Sequence, residues 1–553
     1  MHLLACGKLF GLNFAAFFER GADMGTLWVG RVRTMDREQP LAEAIYVEDG
    51  IVKEVGLTKE LRETHKNKIT EIRDIGSNTI YPGFVDSHLH LMGLGLQLSR
   101  LDLSVCHTSI EMREQLFAEA QVTPAGEWVI GEGWNENRWP DRKIFHRREL
   151  DAIVPHHPMS LTRICRHAAL ANSLALAKAG IDANTPDPQG GVIVRDADGE
   201  PTGLLLDQAQ YLLTRSMPQV TTERLVQAGH RAMDHLVSLG LVGGHTEDLG
   251  YYEKLIKPYQ AYREILEERR FRTHLLVHHE VVDQLREAAI QPLEVMGDLS
   301  FGAMKLFADG AYGGRTAWLR RPYNDAPDTS GVAIHTRDEL QQLVKKAREK
   351  GMPVAIHAIG DQALEEAIEA IETYPNHTGL RDRLIHGQLV PPDLRQRILG
   401  IGAIVDIQPT FVSSDFPWVI ERLGEERMAD AYAWRTLIED GIPCAGGSDA
   451  PIEYANPILG IYAAVARKRP EEAHEGYYPG QALSIEQAIQ LYTTGSAYAV
   501  NQENVSGLIK SGFLADFTIL DQDLFDIDKE AIPEVKVVMT VIDNTIVFER
   551  ETV

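Results

Sequence analysis

The sequence predicts an α/β protein: a (β/α)8 TIM barrel with an insertion subdomain, plus a small β-sandwich domain built from both chain termini. Three observations predict this architecture. Short apolar strands alternate with helical stretches through the middle of the chain. Strand-turn-strand patterns occur near both ends, and imidazole and carboxylate side chains recur where the middle strands end.

The alternation in the middle of the chain predicts a parallel sheet. Helical stretches such as "RDELQQLVKKAREKG" have apolar residues spaced by three and four, which is typical of helices with one buried face. The chain has ten strand candidates, two more than the eight strands of a closed barrel, and the two surplus candidates precede residue 215. We therefore predict a barrel over 83–499 with an inserted subdomain over 104–216 that caps the active site. The strand candidates are 83–90, 127–134, 158–164, 241–247, 272–279, 301–308, 352–359, 382–388, 403–409 and 442–449.

The two ends of the chain resemble each other. The segments "AIYVEDGIVKEVG" and "VMTVIDNTIVFER" both read as β-hairpins centred on an Asp-containing turn. Because isolated hairpins are marginally stable, we predict that 24–82 and 500–553 form one composite β-sandwich domain. The opening apolar stretch lacks a clear cleavage site, so we interpret 1–23 as an N-terminal extension ahead of a natural start at Met24.

Composition excludes several classes of partner. The 553 residues include 55 Lys and Arg against 80 Asp and Glu, a net charge of -25 that repels phosphate groups. We therefore expect no nucleic acid and no membrane as partners, and a small-molecule substrate instead; a homodimer is one assembly the chain could form. The four cysteines are scattered without a C-x-x-C pair, which argues against thiolate zinc sites and disulfides and fits a cytoplasmic location.

The candidate metal ligands share one position in the predicted barrel. In "DSHLH" two histidines lie two residues apart, so a strand presents both on one face. The carboxyl ends of barrel strands converge on a single mouth, where active sites lie. Neutral imidazole and carboxylate are suitable ligands for Zn²⁺ and similar divalent ions. The residues at these strand ends are His88 and His90 on strand one, His357 on strand five, His386 on strand six and Asp449 on strand eight.

A lysine also lies in this region. Lys305 is part of the apolar run "FGAMKLFADGAYGGR" on predicted strand four. Such a lysine commonly extends its ammonium group to water along apolar surface, and the segment alone does not exclude this. An apolar setting beside cations would instead favour the neutral amine.

Several motifs together resemble the amidohydrolase superfamily, within it amidohydrolase family 3, the branch of the N-substituted formamide deformylases and YtcJ-like proteins. They are "YPGFVDSHLHL", "GEGWNENRW", "CRHAALANSLAL", "MKLFADGAYGGRTA", "IHAIGDQAL", "GGSDAP" and "GFLADFTILD". The resemblance implies that Lys305 is carboxylated and that its carbamate bridges two divalent metal ions, with Zn²⁺ the favoured identity. It further implies that His88, His90 and Asp449 hold one ion and that His357 and His386 hold the other.

The implied function is hydrolysis of a C–N bond in a small molecule such as an N-substituted formamide or a cyclic amide. A metal-bound hydroxide would attack the carbonyl with Asp449 as general acid and base, and His386 and Lys305 would complete the catalytic set. The alternatives are an esterase or a deaminase on the same scaffold, or a non-catalytic metal-binding regulatory protein. Adenosine-type deaminases have a glutamate three residues after the strand-five histidine, whereas this chain has Gly360.

Substrate contacts are predicted on two segments. The insertion offers aromatic and polar side chains that could bury an apolar substrate, and the loops after strands four and five offer charged ones. Internal packing and ion pairing within loops are the alternatives. The residues considered are Trp134, Trp139, Arg166, His167 and Asn172 in the insertion and Arg315 and Asp361 in the loops; Trp134, His167, Arg315 and Asp361 are the predicted substrate-binding set.

Overall fold

The structure, a computed structural model, describes residues 25–164, 167–188 and 190–551. The predicted extension at 1–23 and the candidate Arg166 lie outside the described residues. The described residues form two compact units: one comprises residues 25–95 and 222–551, and the other comprises the described part of Leu96–Thr221.

The strands are, in chain order, β1 (Gly25–Arg33), β2 (Leu41–Glu48), β3 (Ile51–Gly56), β4 (Ile69–Pro82), β5 (Phe84–Leu89), β6 (Leu101–Asp102), β7 (Val129–Trp134), β8 (Met159–Arg163), β9 (Ala168–Ala171), β10 (Gly191–Arg195), β11 (Pro201–Asp207), β12 (Leu241–Thr246), β13 (Arg272–His278), β14 (Val295–Met296), β15 (Leu299–Phe307), β16 (Val354–Ala358), β17 (Arg383–His386), β18 (Ile404–Ile407), β19 (Cys444–Gly446), β20 (Phe517–Leu520), β21 (Val537–Ile542) and β22 (Thr545–Glu549).

The α-helices are α1 (Thr58–Thr64), α2 (Leu91–Leu98), α3 (Ser109–Val122), α4 (Arg147–Ile153), α5 (Ser173–Lys178), α6 (Gln210–Ser216), α7 (Thr222–Ser238), α8 (Ile256–Glu268), α9 (Gln284–Glu287), α10 (Arg337–Glu349), α11 (Asp361–Thr373), α12 (Pro392–Ile401), α13 (Phe411–Asp415), α14 (Trp418–Leu423), α15 (Trp434–Glu439), α16 (Pro457–Ala466), α17 (Ile485–Leu491) and α18 (Thr494–Ala499). Among the helices of the described residues, none combines the length and the apolar character that crossing a membrane requires.

The larger unit contains the predicted barrel. Eight strands pair side by side in the order β5-β12-β13-β15-β16-β17-β18-β19, and every one of these pairings is parallel. Backbone hydrogen bonds join the two ends of this series: Asp449 N–H donates to the His88 carbonyl and His90 N–H to the Ala450 carbonyl, both at 2.7 Å. The (β/α)8 barrel predicted from the sequence is thus confirmed, and two predicted metal ligands take part in its closure.

The barrel strands are short and apolar because both of their faces are covered. Every residue of β12, β17 and β18 is buried, as is typical of parallel strands with helices outside and a packed interior. The helices alternate with them as their apolar spacing predicts. Helix α10, for example, begins at a capping box in which Thr336 and Glu339 satisfy each other's backbone N–H groups.

The termini share one seven-stranded sheet in the order β22-β21-β20-β4-β1-β2-β3. The antiparallel pairing of β20 with β4 joins the C-terminal strands to the N-terminal ones, as the hairpin patterns predict. One face buries Trp28 and Phe517, and the opposite face of β1 and β2 packs Leu27 and Tyr46 against Leu61 of α1. The sheet of this small β domain therefore has a hydrophobic core on each of its two faces.

The second unit, Leu96–Thr221, begins earlier and ends later than the predicted insertion at 104–216. Its boundary falls inside α2, where composition does not change. The unit has a six-stranded sheet in the order β10-β11-β9-β8-β7-β6 and a hydrophobic core of its own. The segment "GGVIVRDADGEPTGLLLD" contains the antiparallel pair β10 and β11.

Candidate metal centre

The structure brings the six predicted metal-binding residues to one end of the barrel. All of them lie in the last residues of a barrel strand or directly after it, and their side chains are buried or nearly so. His88 lies in β5 and His90 follows it, Lys305 lies in β15, His357 in β16 and His386 ends β17, while Asp449 comes three residues after β19.

Three ligands already converge on one point. Nε2 of His88 and Nε2 of His90 lie 3.5 Å and 3.2 Å from Oδ1 of Asp449, and ligand atoms of the three residues all lie within 4.8 Å of one another. Gly447 makes this approach possible, since a Cβ there would lie 2.5 Å from the backbone nitrogen of His88. Gly447, the second glycine of "GGSD", therefore lets the chain after β19 pass close to β5.

Hydrogen bonds orient His90 for ligation. Its Nδ1 donates to the backbone carbonyl of Glu247 at 2.8 Å, which leaves Nε2 facing Asp449. Burial disfavours the charged imidazole, but the hydrogen bond and the negative charge of Asp449 outweigh it and raise the pKa of His90 to about 9. Burial acts on Asp449 as well, yet His90 holds the pKa of that carboxyl below its ordinary value. A metal ion would replace the proton that the pair shares.

The other two imidazoles form a second pair. The rings of His357 and His386 lie 4.5 Å apart between centroids. Nε2 of His357 donates to the carbonyl of Gly310 at 3.0 Å, so Nδ1 is left to ligate. Nδ1 of His386 donates to Oε1 of Gln408 at 2.7 Å, so Nε2 is left, and the Gln408 amide is itself held by a bond to the carbonyl of Asp406.

Burial keeps three of the imidazoles neutral. It lowers the pKa of His88 and of His357 well below the ordinary value and that of His386 below it, and neighbouring positive groups act in the same direction. Neutral imidazole is the form that donates a lone pair to a metal. The donor set of four imidazoles and one carboxylate therefore fits divalent metal ions.

The setting of Lys305 differs from the apolar one that the sequence predicts. The side chain is 1% exposed, which excludes an ammonium group extended to water. Its Nζ lies 2.9 Å from Oε2 of Glu247, a residue with no exposed surface, and 3.5 Å from Nε2 of His88. Lys305 is thus half of a buried ion pair beside the metal ligands.

Sequence reasoning missed two residues of this centre. Glu247 directly follows β12 and Gln408 directly follows β18, so both obey the strand-end rule that identified the ligands. Glu247 even ends the strand candidate "LVGGHTE". The signal was present for both, but neither belongs to a histidine or aspartate motif, and their contacts depend on neighbouring strands.

The residues in the barrel loops that were predicted to contact the substrate form hydrogen bonds or ion pairs with other residues of the protein. The Asp361 carboxylate, at the start of α11, accepts a hydrogen bond from the backbone N–H of Arg320 at 2.9 Å. Arg315 forms a two-point ion pair with Asp325, with its nearer bond at 2.7 Å. Both residues hold loops that follow barrel strands, and their contact with a substrate stays a prediction.

The predicted contacts in the insertion have two different settings. Trp134 and Trp139 are buried in the core of their own unit, where each indole N–H donates to a backbone carbonyl. Asn172 is buried there as well and caps α5. His167 is exposed and lies 3.1 Å from Asp207. These positions show internal packing for three residues, and substrate binding by Trp134 and His167 stays a prediction.

Comparison with known proteins gives a consistent result. The sequence profile of the amidohydrolase family matches residues 71–548. YtcJ of Bacillus subtilis (strain 168) is 46% identical over 533 residues, which are 95% of this chain and all of YtcJ. N-substituted formamide deformylase of Arthrobacter pascens is 27% identical over 545 residues, covering 94% of this chain and 97% of that protein. A crystal structure of a metal-dependent hydrolase from Pyrococcus horikoshii is 30% identical, covers 91% of this chain and 99% of that one, and superposes with a TM-score of 0.75.

Proposed function

This protein belongs to the amidohydrolase family and is a metal-dependent hydrolase, and we propose that it cleaves the C–N bond of an N-substituted formamide or a cyclic amide. The observation that carries the proposal is the convergence of His88, His90 and Asp449 within 4.8 Å at the carboxyl end of the barrel. The deformylase of Arthrobacter pascens, which matches nearly end to end, supports the choice of a formamide.

The proposal assigns two divalent ions, Zn²⁺ first, to the two groups of ligands. His88, His90 and Asp449 would hold one ion, and His357 and His386 the other. Bound there, the ions would activate water at neutral pH and polarise the substrate carbonyl. Lys305 lies beside His88 and would bridge the two groups as its carbamate.

In this proposal a protein side chain, Asp449, transfers the proton. Asp449 has an oxygen close to both strand-one histidines, so it would lie within reach of a water molecule activated at the first ion position. It would accept that proton and pass it to the departing amine nitrogen, which leaves as a neutral amine when the C–N bond breaks. His386, held by Gln408, would keep its lone pair directed into the centre throughout.

Aromatic side chains near the ligands support the proposal that the substrate has an apolar substituent. The ring of Tyr251 lies 5.6 Å from His90, and that of Phe307 lies 5.3 Å from His357. Phe411 lies 6.1 Å from His386. These rings offer an aromatic or aliphatic group apolar contacts beside the scissile bond.

The backbone near strand five argues against the deaminase alternative. A glutamate proton donor would have to stand at position 360, three residues after His357. Gly360 packs so tightly that a Cβ there would lie 2.1 Å from the carbonyl oxygen of Trp318. No side chain fits at this position, and the next carboxylate, Asp361, is bound to the backbone of Arg320.

The test uses matched substrates and protein of measured metal content. Purified enzyme is assayed for release of formate and amine from N-alkyl and N-aryl formamides, for opening of cyclic amides, and for hydrolysis of formate esters with the same substituents. We expect turnover of the C–N substrates that stops when the metal is chelated and returns when it is replaced. Hydrolysis of the esters without cleavage of any C–N substrate would refute the proposal.

A further inference from the structure

Glu247 contacts both a strand-one ligand and the strand-four lysine. It directly follows barrel strand β12 and has no exposed surface. Its backbone carbonyl accepts the Nδ1–H of His90 at 2.8 Å, and its carboxylate lies 2.9 Å from Nζ of Lys305. A single residue thus connects a strand-one ligand to the strand-four lysine.

The pairing of Glu247 with Lys305 is enforced by burial. Two charges removed from water are tolerable only when they satisfy each other, and these two side chains are 0% and 1% exposed. The contact also restricts the rotation of Nζ, since a flexible lysine side chain has few other ways to hold its nitrogen in one place. Nζ is thereby kept 3.5 Å from Nε2 of His88.

We propose that Glu247 is a positioning residue that orients the Lys305 carbamate, an inference that rests on the proposed function. When the neutral amine adds CO₂, the nitrogen lone pair forms the N–C bond and one of the two N–H protons leaves to solvent. The remaining N–H donates to Oε2 of Glu247. Because the carbamate nitrogen is trigonal, fixing its hydrogen leaves a single direction for the new carboxylate, away from Glu247.

The test substitutes Glu247→Gln, which keeps the backbone carbonyl for His90 but replaces the charged acceptor beside Nζ with a neutral and weaker one. Protein stripped of metal is reloaded at low and high bicarbonate, metal per chain is measured by plasma mass spectrometry, and the carbamate is observed by ¹³C NMR after loading with ¹³C-bicarbonate. We expect the wild type to take up two ions and show the carbamate. Glu247→Gln should take up about one ion and need at least tenfold more bicarbonate for the second.

Two controls separate positioning from general damage. Asp248→Asn alters the neighbouring buried carboxylate, which bonds Thr246 and Tyr262 instead of Lys305; it should lower the melting temperature without changing the bicarbonate dependence. In a Lys305→Ala background, Glu247→Gln should have no further effect on metal content, because Glu247 acts through the lysine.

The outcomes distinguish this inference from the proposed function. Wild-type levels of metal and carbamate in Glu247→Gln, at every bicarbonate concentration, would overturn the role of Glu247 and leave the hydrolase intact. A wild type that binds metal and turns over substrate without a carbamate would also overturn it. A wild type that binds no metal would overturn the proposed function itself.

Discussion

The two groups of ligands in this barrel differ in how complete they are. His88, His90 and Asp449 place three ligand atoms within 4.8 Å of one another. The rings of His357 and His386 lie close together, and each ring is oriented by a hydrogen bond to a neighbouring oxygen. This second group has two protein ligands, one fewer than the first group. We therefore expect the first group to bind an ion by itself, and the second group to need a further donor, which under the proposed function is the Lys305 carbamate.

The largest expected effect comes from the same substitution made in either group. His88→Asn should abolish binding of the first ion and with it the bridged second ion, so that activity falls below detection. His357→Asn should keep about one ion per chain and lose most but not all activity. Metal analysis and kcat/KM for both variants measure the contrast; equal metal loss in the two variants would show that the groups do not differ.

Asp449→Asn distinguishes holding a metal from moving a proton. The amide oxygen can still ligate, but it cannot accept the proton, so turnover should fall by about 10²- to 10⁴-fold while metal content stays near the wild-type value. Turnover and metal per chain are measured on the same preparation. Parallel loss of metal and activity would mean that Asp449 is only a ligand.

Gln408→Leu weakens the second group selectively. Without the acceptor for its Nδ1–H, His386 loses its fixed orientation, and affinity for the second ion should fall by about 10- to 100-fold. Competition with a chelator measures both binding steps, and the first ion is the internal control because Gln408 contacts neither His88 nor His90 among the contacts described. Equal weakening of both ions would contradict the separation of the groups.

The smallest effect concerns an imidazole that is buried without being a predicted ligand. Burial, with the nearby Arg383, lowers the pKa of His274 to about 3. The unfolded chain therefore binds this proton first as the pH falls through 6.5, so folding stability decreases, by about 2 kcal/mol at pH 5. Chemical unfolding at pH 7.5 and pH 5 should show a smaller acid loss for His274→Gln, while the exposed His377→Gln should behave as wild type. An unchanged acid loss in His274→Gln would show that burial at this site does not exclude the proton.

The sequence was sufficient to predict which side chains the barrel gathers at its carboxyl end. The apolar runs of the sequence indicate where strands end. In a (β/α)8 barrel the carboxyl ends of all strands lie around one opening, so His88, His357 and Asp449 could be predicted to lie close together. The composite terminal sheet was predictable for a similar reason, because two marginal hairpins need a common partner.

What the sequence could not supply are contacts that depend on neighbouring strands and on loop conformation. The pairing of Lys305 with Glu247 joins residues on strands two and four, and no local pattern reports their separation of 2.9 Å. The hydrogen bond that the Asp361 carboxylate accepts from the backbone N–H of Arg320, in the loop after strand four, could not be predicted either, and contact of Asp361 with a substrate stays a prediction. The limit of the second unit could not be placed because it falls within a continuous helix.

Two ion pairs of the candidate metal centre have a consequence for the order of assembly in the cell. His90 with Asp449 and Lys305 with Glu247 give these four side chains partners of opposite charge within the chain itself. The nascent protein can therefore complete its barrel before any ion arrives, and we expect maturation to be a separate, later event whose yield follows the supply of metal and CO₂. Freshly synthesised protein would then accumulate as a folded, inactive reserve.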